Sequence, residues 1–122
     1  MAFTKVTTST ALAGVLVTST NATALANPNV TGSTSGRIYQ VQIDNTENTV
    51  TSYLKIFDSA SATPGSSIPI LTLPANAGKK VTYAINTGLA YASGVCFWRT
   101  TGAEVASTQS PNSPVPVVIL AS

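Results

Sequence analysis

Apolar and polar positions alternate most cleanly in two consecutive runs, Arg37-Ile-Tyr-Gln-Val-Gln-Ile-Asp44 and Ser52-Tyr-Leu-Lys-Ile-Phe-Asp58. Side chains of a strand point to opposite faces in turn. The first run therefore puts Tyr39, Val41 and Ile43 on one face and Gln40 and Gln42 on the other. In the second, Leu54 and Ile56 share a face opposite Tyr53, Lys55 and Phe57. The polar link Asn45-Thr-Glu-Asn-Thr-Val-Thr51 predicts a long hairpin between the two runs.

Shorter strands follow, separated by Gly and Pro turns. Ser59-Ala-Ser-Ala-Thr-Pro-Gly-Ser-Ser67 is a loop by composition, turning at Pro64-Gly65. In Ile68-Pro-Ile-Leu-Thr-Leu-Pro74 two prolines lack an N–H, which predicts a short strand or one at a sheet edge. Val81, Tyr83 and Ile85 alternate before a turn at Asn86-Thr-Gly88, and Leu89-Ala-Tyr91 is a brief strand. Val95-Cys-Phe-Trp-Arg-Thr100 places Val95, Phe97 and Arg99 on one face and Cys96 and Trp98 on the other. Gln109-Ser-Pro-Asn-Ser-Pro114 is a stiff polar link. It leads to Val115-Pro-Val-Val-Ile-Leu120, so apolar that it should close the sheet or enter a partner. With no helical period, the expected fold is all-β, an antiparallel β-sandwich or jelly roll.

The first thirty-six residues are Thr-rich, with Val and Leu scattered among polar neighbours. Residues 1–36 are read as an extended N-terminal arm with short strands, and residues 37–122 as the sandwich domain, within a single domain overall. Lys5, the run Ala11-Leu-Ala-Gly-Val-Leu-Val17 and the triplet Ala24-Leu-Ala26 imitate a secretory signal with an A-x-A cleavage site. That run is of minimal length and hemmed in by Thr and Ser, so residues 14–18 are read as a strand.

Composition narrows the chemistry. Charged residues are 8% of the 122, against 43% apolar, and the polar surface is Thr, Ser, Asn and Gln. Such a surface packs against other protein with little charge to desolvate. A formal charge of +2, with Lys79-Lys80 the one basic pair, gives no nucleic-acid footprint. No apolar run is long enough for a membrane-spanning helix, and no membrane partner is expected. Without histidine, and with Cys96 the single cysteine, zinc sites and Ser-His or Cys-His triads lack their residues. Cys96 is read as a small buried hydrophobe. The four carboxylates are Asp44, Glu47, Asp58 and Glu104, and Asp44 and Asp58 end strands, where Asp commonly bonds turn backbone. Asp44-Asn-Thr-Glu-Asn48 is rich in oxygen donors but lacks the spacing and glycine of an EF-hand loop. No catalytic residue, metal or cofactor is expected. Trp98 is read as a core anchor, the other possibility being an outward contact beside Tyr53 and Phe57.

The run Asp44-Asn-Thr…Tyr53-Leu-Lys-Ile-Phe-Asp58-Ser-Ala…Pro64-Gly65, then Ile70-Leu-Thr-Leu-Pro74 and Asn86-Thr-Gly-Leu-Ala-Tyr91-Ala-Ser-Gly-Val95, resembles small β-sandwich structural proteins of tailed bacteriophages. The likeness covers about residues 36–96. It implies a virion component made in the host cytoplasm, in the first place a capsid cement (decoration) protein on the capsid exterior. Such a protein binds the major capsid protein and commonly sits as a homotrimer at local three-fold positions. The arm and the apolar last strand suit permanent packing, so Phe3, Val6, Leu12, Val15, Val17, Val115, Val117, Ile119 and Leu120 are the expected subunit or capsid contacts. The main alternative is a tail, baseplate or head–tail accessory module contacting host glycans through exposed aromatics. A secreted adhesin would need the signal segment to be genuine.

Overall fold

The computed structural model describes residues 4–7, 15–19, 30–32 and 35–122, with the backbone alone for residues 5–7. Among them the chain is all-β, with strands β1 (Thr4–Thr7), β2 (Val15–Ser19), β3 (Gly36–Asp44), β4 (Ser52–Asp58), β5 (Leu71–Ala75), β6 (Lys80–Tyr91), β7 (Val95–Thr100) and β8 (Val117–Ala121). They form a five-stranded sheet in the order β1-β2-β8-β3-β6 and a three-stranded sheet in the order β5-β4-β7. Every neighbouring pair is antiparallel. The sheets pack as a sandwich around one main core, where Val17, Val41, Ile43 and Ile119 of the larger sheet meet Leu54, Ile56, Val95 and Phe97 of the smaller.

The predicted hairpin of β3 and β4 does not form. β3 pairs with β6 and β8, β4 pairs with β5 and β7, and residues 45–51 carry the chain from one sheet to the other. Two features explain this. Ser52, Leu54, Lys55, Ile56 and Phe57 are all buried, so β4 is a central strand covered on both faces. The polar side chains of the link, moreover, bond to distant turns rather than across a hairpin.

β3 also departs from simple alternation. Ile38 pairs with Ala121 and Gln40 with Leu120, so Tyr39 is an extra residue on β3. Ile38 rather than Tyr39 joins Val41 and Ile43 in the core. On the other side Ile38 pairs with Leu89 and Gln40 with Ala84, and residues 85–88 bulge. The predicted turn at Asn86-Thr-Gly88 is this bulge within one long β6. Gly88 is needed there: its φ is 77°, and a Cβ would lie 2.8 Å from the Tyr39 ring.

β5 lies at a sheet edge, as Pro69 and Pro74 require. β8 is a central strand of the larger sheet, between β2 and β3. β2 contains residues 15–18 of the stretch read as a strand, residue 14 lying outside the described residues, and Val15 and Val17 belong to the core. The described parts of residues 1–36 are thus built into the sandwich. β7 is an edge strand, yet all six of its residues are buried. Val30 N–H donates to the Val95 carbonyl at 2.9 Å, which helps close that edge.

Candidate functional site

The two outer faces of the sandwich differ. That of the smaller sheet is covered by the chain's own loops. Phe57, Cys96 and Trp98 form a second buried cluster there with Ala62 packed on it, and Lys55 is buried beside Trp98 in register. The outward face of the larger sheet instead presents two uncharged rows. Register aligns Leu16, Leu120, Gln40 and Ala84 in one row, and Thr18, Val118, Gln42 and Thr82 in the next. The six members on β2, β8 and β3 are half-buried, while Thr82 and Ala84 are exposed. Gln42 Nε2 donates to Thr82 Oγ1 at 3.4 Å within the second row. Charge flanks the rows at both ends of β3: Asp44 pairs in register with Lys80 beyond the second row, and the exposed Arg37 lies beyond the first.

This arrangement revises the expected contacts. Val15, Val17, Val115, Val117 and Ile119 are buried in the main core of the subunit, so their side chains are not free to dock. Leu120, of opposite parity, is on the outward face. Val6 lies in β1 opposite Leu16 by backbone register, while Phe3 and Leu12 fall outside the described residues. Leu16 and Val118 are the outward residues that the sequence reading passed over. Strand parity gives no signal in β8, where all five residues are apolar; in β2 it sets Val15 and Val17 against Leu16 and Thr18.

In the Asp44–Asn48 region, side-chain oxygens of Asp44, Asn45 and Asn48 are committed to the fold. Asp44 Oδ1 accepts from Thr46 N–H at 3.1 Å and from the Thr46 hydroxyl at 2.5 Å, and these bonds lower its pKa. Asn45 is fully buried; its amide donates to the carbonyls of Val50 and Ala75, both at 2.9 Å, and Asn76 at 3.3 Å. Its Oδ1 accepts from the Ser52 hydroxyl at 2.9 Å. Asn48 clasps the backbone of Ser113, donating at 3.1 Å and accepting at 2.8 Å. The two asparagines thus tie residues 75–76 and 113 to the crossover. Asp58 caps the next turn, accepting from the N–H groups of Ala92 and Ser93. No cluster of three metal-binding side chains occurs among the described residues.

Two cations are buried. Arg99 faces the core 5.3 Å from the Phe97 ring, donating from Nε to the Val115 carbonyl and from Nη2 to the Ser19 hydroxyl, each at 2.6 Å. Nη1 has no hydrogen-bond partner, and burial pushes the pKa down to about 10. A shift of that size corresponds to roughly 3 kcal/mol against the charged form, about what two charge-assisted hydrogen bonds return. Arg99→Met removes both terms but leaves the buried Val115 carbonyl without its donor, and is expected to lower stability by about 1 kcal/mol in urea unfolding.

Lys55 Nζ donates to the Glu104 carbonyl and, at 3.4 Å, to that of Ser107. Burial lowers its pKa, opposed in part by the Glu104 carboxylate. The unfolded chain then binds the proton more readily than the folded one. The wild type should gain stability relative to Lys55→Met as pH rises through this depressed pKa towards the ordinary 10.5. Paired urea titrations across that window measure the difference.

The aromatics are largely spent on packing. Trp98 is fully buried and stacks on Phe57 at 3.9 Å, but in the second cluster rather than the main core. Phe97 and Tyr91 are buried as well, while Tyr39, Tyr53 and Tyr83 are half-buried. No family model, curated protein or solved structure matches this chain.

Proposed function

We propose that this chain is a structural protein of a tailed-bacteriophage virion, a capsid cement protein that docks on major capsid protein subunits through the outward face of its larger sheet. The observation that carries the reading is the contrast between its faces: one is sealed by the chain's own loops, and the other offers two flat, uncharged rows. Thr, Gln, Leu and Val side chains can be desolvated against another protein at small cost. The bacteriophage likeness of residues 36–96 supplies the partner. Capsids expand and then bear internal pressure, so a cement protein contributes buried contact rather than chemistry. Copies grouped in threes at local three-fold positions would each present the same face to neighbouring capsomers.

A photo-cross-linking residue placed at Leu120 tests the reading. The expected adduct is with the major capsid protein, in virions or in heads decorated in vitro. Adducts confined to tail proteins would contradict it.

A further inference from the structure

The outer face of the smaller sheet is sealed by two loops, residues 59–67 and 101–110. Ala62 packs on the Phe57, Cys96 and Trp98 cluster, and its backbone hydrogen-bonds the Cys96 thiol. Lys55, on the same face, reaches the carbonyls of Glu104 and Ser107 in the other loop. The loops also meet each other. Gly65 has φ +87°, and a Cβ there would stand 2.9 Å from the Thr108 methyl.

Each loop carries bonds of its own that would survive movement. Ser66 and Ser67 N–H donate to the Thr63 carbonyl, Ser107 N–H to that of Glu104, and Thr101 N–H to that of Gln109. The closed arrangement serves two polar groups poorly. Trp98 Nε1 is buried with no hydrogen-bond partner, and the Lys55 ammonium is held by carbonyls out of water. Both regain water if the loops lift. Lifting breaks no strand pairing, since β4 keeps β5 and β7 on either side.

We infer that residues 59–67 and 101–110 form one hinged cover that opens as a unit in the native state, exposing Phe57, Cys96 and Trp98 while both sheets stay paired. Local opening of this kind occurs below the free energy of global unfolding where few interactions cross the boundary. The cover lies on the opposite side of the sandwich from the outward rows, and its movement is independent of what docks there.

The test uses the lone thiol, which is buried when the cover is shut. Cys96 is labelled with an aromatic disulfide reagent across sub-denaturing urea concentrations. The expected rate is nearly independent of urea. Gly65→Ala should raise it about tenfold, because the added Cβ meets the Thr108 methyl only when the cover is shut. Val41→Ala, in the main core away from the cover, should lower the urea midpoint by roughly 1 M and leave the labelling rate unchanged. Labelling that follows the urea slope of global unfolding, and accelerates in step with the Val41→Ala loss of stability, would overturn the inference.

Discussion

Asn45→Ala is expected to cost about 3 kcal/mol and to lower the urea midpoint by roughly 1–2 M. The effect is large because one buried side chain serves four partners in two segments, residues 50–52 and 75–76. Its amide satisfies the carbonyls of Val50, Ala75 and Asn76, and its Oδ1 takes the Ser52 hydroxyl. Alanine takes this partner from the Ala75 carbonyl and the Ser52 hydroxyl where water is excluded, and unmet desolvation costs more than a hydrogen bond returns. The Asn45 backbone adds to the same knot, donating to Lys79 and accepting from Asn48 and Gly78. Asn45→Asp turns the three donated bonds into a carboxylate facing three carbonyls while keeping the Ser52 bond, so it should be more destabilising than alanine. A change below 1 kcal/mol for Asn45→Ala would mean that packing alone holds the crossover.

Val118→Asp is expected to leave the fold intact and to weaken capsid binding by about 100-fold. Val118 is half-buried in the row between Thr18 and Gln42, so a carboxylate there can remain hydrated in the free subunit. In the docked state it would be buried without a partner, a penalty of several kcal/mol. Ile119→Asp is the matching control. It is the next residue, fully buried in the main core, and a charge there should prevent folding altogether. The pair distinguishes a docking face from a core face by a single step of strand parity. Equal capsid affinity for Val118→Asp and wild type, with both folded, would remove the outward rows as the contact.

Strand positions were readable because alternation and Gly–Pro punctuation are local properties. Pro69 and Pro74 marked β5 as an edge strand for the same local reason. Pairing was less legible. Asn45 and Asn48 suit a hairpin turn, but here their side chains bond residues 75–76 and 113, contacts that depend on the assembled fold. Gly88 shows the same ambiguity, since a positive φ serves a bulge as well as a turn. Tyr39 was placed on the core face because an inserted residue shifts parity without a sequence mark. Hydrophobicity itself is ambiguous between core and contact. Val15, Val17, Val117 and Ile119 are apolar because they fill the subunit's own core, whereas the outward face, which must meet water, is mixed, as Leu16, Thr18, Val118 and Leu120 are. Nothing in the polar loop compositions announced that Lys55 and Trp98 would be sealed beneath them.

The most direct test of the central claim is co-sedimentation of the purified protein with tail-less, undecorated heads of the phage proposed to encode it, with its solution mass taken by light scattering. Saturable binding by a species of about three subunits is the expected result for a cement protein. A folded protein that stays in the supernatant at every head concentration would contradict the account.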